Sequence, residues 1–87
     1  MERKVIRVEV TADDIQRGEK KSETSCAIAV AAKRSGAKLV YVDPTSIHVD
    51  GVDYRLPDEA RRFVDAFDAC HVVEPFSFEA KEIGFHD

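Results

Sequence analysis

A change of hydrophobic period at Leu56-Pro57 constrains the fold of this chain more than any other feature of its sequence. Side chains alternate from Val52 to Leu56, and the preceding Asp50-Gly51 is a strong signal for a two-residue hairpin turn, because glycine tolerates positive φ. Proline then ends the strand, since it has no amide N–H for a ladder and suits the first turn of a helix. From Asp58 the period becomes 3.6 residues. We therefore predict a hairpin followed directly by a helix.

The other apolar patterns add strands and helices to this hairpin-helix unit. Alternation predicts strands over 5–10, 38–42, 46–49, 52–55 and 76–80, and helical periodicity predicts helices over 25–35 and 57–69. The order of these elements predicts an α+β fold: a mostly antiparallel β-sheet of four to five strands with two main helices on one face. The 87 residues suffice for a single domain, 1–87, in which residues 81–87 lack a pattern and are expected to form a frayed tail.

A short additional helix is predicted after the first strand. Thr11 and Asp14 have the spacing of a capping box, in which the hydroxyl takes an orphan amide and the carboxylate reaches back. One or two turns should therefore hold Ile15 against the core, and Gly18 should end them.

The second helix is expected to be mostly buried. Residues 26–32 are apolar nearly all round, and their small alanine side chains would let the helix lie close to a sheet. Ser22 or Thr24 is expected to cap its start, and Lys33 and Arg34 fall in its last turn, where cations suit the helix dipole.

The two cysteines give little support for catalysis or metal binding. Cys26 and Cys70 each fall among apolar neighbours and are expected to be reduced core thiols, although a disulfide between the two helices stays open. A zinc site would need Cys26, His48 and the adjacent Cys70-His71 to be brought together by tertiary folding, because no regular ligand spacing is present. Cys26 opens an Ala-rich stripe without a Gly-rich loop beside it. We predict no catalytic residue, no metal and no cofactor, and a Cys/His enzyme only if Cys26 is exposed beside a histidine.

Other binding classes are also weakly represented. The four glycines stand singly, so no phosphate-binding loop is predicted. The basic residues Arg17, Lys20 and Lys21 lie beside Glu19 and Glu23 without interleaved aromatic residues, which argues against direct nucleic-acid binding. No apolar run approaches a membrane span, and the N-terminal residues lack the apolar core of a signal peptide. We expect a cytoplasmic protein that does not bind membranes.

Charge is distributed unevenly along the chain. Residues 1–38 carry nine Lys or Arg against six Asp or Glu, whereas residues 39–87 carry four against eleven. Such an asymmetry is a statement about partners rather than about fold, although a plain solvated surface is the alternative interpretation. If the hairpin, the helix and the last strand pack as one unit, several carboxylates should meet on one flank. The residues predicted to form this partner-binding acidic surface are Asp50, Asp53, Asp58, Glu59, Asp65 and Asp68.

Three segments resemble a known family. The segments VEVTADDIQRG, SCAIAVAAKRSG and, above all, VDGVDYRLPDEARRFVDAFDA with the following VEPFSFE are similar to small proteins encoded on phages and prophages, notably of actinobacteria. The similarity covers most of residues 5–79 and brings no enzymatic activity with it. It implies phage or mobile-element origin, and small acidic proteins of that origin often inhibit host defence, anti-CRISPR proteins among them.

Together these features predict a non-enzymatic, phage-type inhibitor. Its acidic surface would mimic DNA and bind a host protein or complex that has a basic, nucleic-acid-binding surface. The alternative is a small homodimeric structural or accessory phage protein without an inhibitory role. In that case exposed Phe76, Phe78 and Phe85 would pair across chains at a sheet edge.

Overall fold

One antiparallel five-stranded sheet organises the part of the chain that the computed structural model describes, residues 4–83. The α+β prediction is confirmed, with three helices added to the sheet. The elements are β1 (Val5–Val10), α1 (Ala12–Arg17), α2 (Ala27–Arg34), β2 (Val40–Val42), β3 (Ser46–Val49), β4 (Val52–Arg55), α3 (Asp58–Asp68) and β5 (Phe76–Glu82).

The strand order is β1-β5-β4-β3-β2, so the last strand inserts between the first strand and the hairpin. Alternate side chains point to opposite faces of such a sheet. Val8, Ile47, Tyr54 and Phe78 lie on the face that is buried under the helices. The intervening side chains are solvent-exposed or half-buried, so the helices cover one face of the sheet and leave the other open.

Helix α2 is the most deeply buried element, as its composition predicts. Ala27, Ile28, Ala29 and Ala31 are each fully buried. The helix begins at Ala27, two residues later than expected. The reason lies in the preceding loop: the Val42 amide donates to the Glu23 carbonyl at 2.7 Å, and the Glu19 amide donates to the Ser25 carbonyl at 2.7 Å. These bonds tie residues 19–25 to β2 and to one another, and Ser22 caps this turn through the Ser25 amide instead of capping the helix.

A row of stacked phenylalanines joins α3 to β5. The ring centroids of Phe63 and Phe76 are 4.8 Å apart, and those of Phe76 and Phe78 are 5.5 Å apart. The prediction that Phe76 and Phe78 are exposed at a sheet edge is wrong. Phe78 is 2% exposed, Phe76 is half-buried, and β5 is paired on both sides, with β1 and β4. Phe85 lies outside the described residues.

The hairpin turn follows its sequence signal, whereas the end of α3 and the end of β5 differ from expectation. Asp50 and Gly51 have φ of 48° and 87°, as a type I′ hairpin requires. Helix α3 ends in a Schellman motif in which the His71 amide donates to the Ala66 carbonyl at 2.9 Å. The left-handed position of that motif is taken by Cys70, which is exposed and not the core thiol expected from its neighbours. Strand β5 extends to Glu82, so residues 81 and 82 are not a frayed tail, and residues 84–87 lie outside the described part.

None of the helices within residues 4–83 has the length and apolar character needed to cross a membrane.

Candidate functional site

The six carboxylates predicted to form a binding surface fall into two groups. Asp50 and Asp53 belong to the β3–β4 hairpin, and the other four belong to α3. Asp50 accepts the amides of Lys38 and Leu39 at 3.0 and 2.8 Å and so holds the hairpin turn against the start of β2. Asp53 points to the open sheet face, opposite to the face that α3 covers. Asp53 therefore lies on the other face of the sheet from the carboxylates of α3, and Asp50 lies at the loop between α2 and β2, so neither of them borders α3.

Three of the four carboxylates of α3 border a groove between this helix and the β2–β3 turn. Its inner part is a cavity of about 250 Å³ with an apolar wall, formed by Ile28, Val42, Phe63, Val64 and Phe67. Its outer part is a more open depression, lined by Pro44, Thr45, Asp58, Arg61, Arg62 and Asp65. Pro44 lines both parts. We refer to the two together as the α3 groove, and to the cavity as its inner pocket.

The rim of the α3 groove is acidic at its inner end and mixed at its outer end. Glu23, Asp43 and Asp68 line the inner pocket, with Lys21 as the cation among its lining residues. At the outer end Asp58 pairs with Arg61. Three of the six predicted residues, Asp58, Asp65 and Asp68, thus meet along one groove. Glu59 is exposed on the same helix but does not line it.

The inner-rim carboxylates are held in place by neutral donors. The Lys21 backbone amide donates to Asp68 Oδ1 at 2.8 Å, and the Tyr41 hydroxyl donates to Glu23 Oε2 at 2.8 Å. Each bond orients the carboxylate without neutralising its charge, and a carboxylate has about four acceptor positions. Both groups therefore retain lone pairs for a donor arriving from outside.

Asp43 connects the groove to a histidine on the open sheet face. Its Oδ2 lies 3.0 Å from His48 Nε2, and its Oδ1 accepts the amides of Thr45 and Ser46 at 2.9 and 2.8 Å. His48 Nδ1 lies 2.6 Å from Asp53 Oδ1. Hydrogen bonds to Asp43 and then to Asp53 raise the pKa of His48 above its usual value. Burial acts to raise the pKa of Asp43, but hydrogen bonds from His48, Thr45 and Ser46 outweigh burial and lower it.

The clamp of His48 by two carboxylates was not anticipated from the sequence, although a signal was present. A two-residue turn at Asp50-Gly51 places His48 opposite Asp53 in the hairpin register. The turn alone therefore predicts an opposite-charge pair between His48 and Asp53. The contact with Asp43 depends on how the β2–β3 turn folds back, which the sequence pattern does not specify.

The clamp predicts a pH dependence of stability. Because its pKa is higher in the folded than in the unfolded state, His48 contributes stability that is fully present below the unfolded pKa and is lost as pH rises through the folded pKa. We expect His48→Gln to lower the free energy of unfolding by about 1 kcal/mol at pH ~5.5 and by less at pH ~9, a partly exposed charge-assisted pair being weakened by solvent. Urea titrations at the two pH values measure this, with His71→Gln, at an exposed position, as control. An equal loss at both pH values would contradict it.

The Cys26 thiol lines the inner pocket but does not have the character of a nucleophile. It is 7% exposed at the N-cap of α2. Burial raises the pKa of Cys26, and the amides of Ala29 and Ile28 offset this only in part. A reactive cysteine needs the opposite shift. Cys26 and Cys70 are both free thiols, and within residues 4–83 no group of three His, Cys, Asp or Glu side chains is placed to hold a metal ion.

No family model, curated protein or solved structure matches this chain.

Proposed function

We propose that this protein is a non-enzymatic interaction protein that binds a basic, nucleic-acid-binding surface of a host complex and inhibits that complex, as phage-encoded anti-CRISPR proteins do. The observation that carries the proposal is the α3 groove, along which three of the predicted carboxylates lie: Asp68 lines its apolar inner pocket, and Asp58 and Asp65 line its outer part. Surface carboxylates on a rigid scaffold resemble the phosphates that such a host surface normally binds, and they steer association with a basic partner.

The rigidity of α3 supports this proposal. Phe63 and Phe67 are 8% and 3% exposed and fix the helix to the core, so the carboxylates on its outer side move little. Few side chains of this protein would therefore become ordered when a partner binds. Binding to such a pre-organised surface costs less conformational entropy than binding to a flexible one.

The arginines of α3 narrow the kind of partner. Arg61 is paired with Asp58, whereas neither Arg62 nor Asp65 forms an ion pair within residues 4–83. A uniformly basic partner surface would be repelled at Arg62 and attracted at Asp65 and Asp68. The best partner is therefore basic opposite the inner end of the groove and neutral or acidic opposite Arg62, and this mixed pattern gives specificity as well as attraction.

A charge-reversal pair tests the proposal. In the double variant Glu59→Lys/Asp65→Lys we expect the affinity for the host partner to fall roughly 30-fold, about 2 kcal/mol, because two attractive charges become repulsive. The partner is first recovered by affinity purification from nuclease-treated host lysate, and its binding is then measured at two salt concentrations. Duplex DNA should displace this protein from its partner.

The matched control is Asp13→Lys/Glu79→Lys, which makes the same change in net charge at exposed positions on α1 and on the open sheet face. Equal weakening by both double variants would show that net charge alone matters. A partner that has no nucleic-acid-binding surface, or that DNA fails to displace, would refute the proposed function.

A second candidate, a small homodimeric accessory protein, is favoured by one observation. Strand β1 has six residues and, within residues 4–83, pairs with another strand on one side only, so apart from the Glu9 carbonyl, which accepts from Arg34, its other edge can pair with another chain. Val5 on this strand is 52% exposed. Native mass measurement over a range of protein concentrations distinguishes this candidate from a monomeric inhibitor.

A further inference from the structure

The inner pocket has the size and wall of a receptor for a single side chain. At about 250 Å³ it falls below the roughly 300–1,000 Å³ of sites that enclose drug-sized ligands. Its wall is formed by aliphatic side chains from α2, β2 and α3 and by two phenylalanines of α3. A leucine, methionine or phenylalanine side chain fits such a space and would be removed from water on entering it.

The rim of this pocket is suited to cations that flank an apolar side chain. Glu23 and Asp68 are held by a tyrosine hydroxyl and by a backbone amide, so their charges are fixed in position. The nearby cations are carried by long side chains: Lys21 is exposed, and Lys20 reaches over the Phe67 ring, with Nζ 5.2 Å from the ring centroid. Lysine ends on a flexible stem and can move into water when a second cation arrives. The charges at the rim that are held in fixed positions are therefore negative.

From the cavity and its rim we infer that the inner pocket binds one apolar anchor residue of a polypeptide segment whose neighbouring residues are Lys or Arg. This inference rests on the proposed function and specifies which part of the basic partner engages the groove. An apolar anchor in a desolvated pocket surrounded by polar contacts is the usual arrangement of an interface hot spot. The anchor supplies affinity, and the charged neighbours supply orientation.

The wall position best suited to substitution is Val64, which is half-buried on α3 and lines the pocket. Its side chain is close enough to solvent to be enlarged without displacing the fully buried residues behind it. Val64→Trp should therefore fill the pocket and exclude the anchor, and Glu59 and Asp65 remain unchanged in that variant.

The first experiment uses the unmodified protein and needs no variant to fold. Acetylated peptides of sequence Lys-Arg-X-Lys-Arg, with X as Gly, Leu, Met or Phe, are titrated while the amide resonances of the protein are recorded by NMR. We expect the Leu, Met and Phe peptides to bind at least about tenfold more tightly than the Gly peptide, with the largest shifts at Ile28, Val42 and Val64. Equal affinity for all four peptides, or shifts confined to other faces, overturns the inference.

The second experiment separates this inference from the proposed function. If both hold, Val64→Trp and Glu59→Lys/Asp65→Lys each weaken binding to the host partner, and Val64→Trp also abolishes the preference among the peptides. Loss with the acidic double variant alone refutes the anchor and leaves the proposed function intact. A selective peptide response without a host partner refutes the proposed function and leaves the anchor intact. A second copy of this chain or a small molecule that native mass spectrometry finds bound to the unmodified protein, but not to Val64→Trp, also overturns the inference.

Discussion

Arg34→Ala is expected to lower the free energy of unfolding by about 3 kcal/mol, one of the two largest effects predicted for a single substitution in this protein. Asp14 is completely buried, and Arg34 donates to both of its oxygens, from Nε to Oδ1 at 3.1 Å and from Nη2 to Oδ2 at 2.9 Å. The same guanidinium also donates to the Glu9 carbonyl at 2.9 Å. Removing Arg34 leaves a buried carboxylate without its cation, which is far more costly than losing an exposed ion pair. Urea unfolding measures the loss.

The position of this ion pair explains the size of the expected effect. Asp14 also completes the capping box of α1 by accepting the Thr11 amide at 2.9 Å, so one carboxylate joins the end of β1, the start of α1 and the end of α2. A domain of this length has a total stability on the order of 4–13 kcal/mol. Loss of Arg34 should therefore remove a large fraction of the stability.

The pH dependence of the loss identifies its cause. Burial acts to raise the pKa of Asp14, but the hydrogen bond from Arg34 and those from Thr11 outweigh burial and lower it. In the unmodified protein this stabilisation is present above the unfolded pKa and is lost as pH falls through the folded pKa. Without Arg34, burial raises the pKa of Asp14. Protonation of this carboxyl then removes the cost of the buried, unpaired charge, so the variant is less destabilised at low pH. The difference between the two proteins should shrink towards pH ~4.

Two further variants serve as comparisons. Arg62→Ala, at an exposed position on α3 without an ion pair among the described residues, should change stability by no more than about 0.5 kcal/mol. Adding Asp14→Asn to Arg34→Ala should cost less than the two single changes combined, since both remove the same interaction. Additive losses, or an Arg34→Ala loss that is constant with pH, would show that Arg34 stabilises the protein only by packing.

Local signals predicted one half of this interaction and missed the other. The Thr11–Asp14 capping box is a matter of spacing over three residues, and the structure contains both of its hydrogen bonds. From the sequence, Arg34 is expected only to interact with the dipole of its own helix. Its partner Asp14 is twenty residues away, and no periodicity links the two residues. An ion pair between elements that are distant in sequence is a product of packing, and a single sequence carries little information about it.

The same distinction holds for the fold. The hairpin was predicted residue for residue, because Asp50-Gly51 selects one turn type and fixes the register. The start of α2 was misplaced because hydrogen bonds from β2 and within the loop compete with helix formation there. The homodimer interpretation needs Phe76 and Phe78 to be exposed. The sequence does not exclude this, because alternation shows which residues share a face but not which face the helices cover.

The candidate site shows how far helical periodicity extends. It placed Asp58, Glu59, Asp65 and Asp68 on the outer side of α3, and all of these except Glu59 line the α3 groove. The groove itself exists because the β2–β3 turn lies beside this helix, a juxtaposition set by the strand order. Glu23 and Asp43, which complete the rim, could not be identified without that order.

Gly18→Ala is expected to lower the free energy of unfolding by about 3 kcal/mol, although the backbone there suits any residue. Its φ is −68°, so alanine would be unstrained and, by restricting the unfolded chain, would stabilise the protein by about 0.4–1 kcal/mol if space allowed.

The space beside Gly18 does not allow a side chain: a Cβ on Gly18 would lie 2.5 Å from the Ala27 amide nitrogen and 2.7 Å from its Cα. These are backbone atoms at the fully buried start of α2, which cannot rotate away as a side chain would, so α1 and α2 must separate. Urea unfolding of Gly18→Ala decides between destabilisation and stabilisation, with Gln16→Ala, at an exposed position on α1, as control. A more stable variant would show that the close approach of α1 to α2 is not what makes glycine necessary at this position.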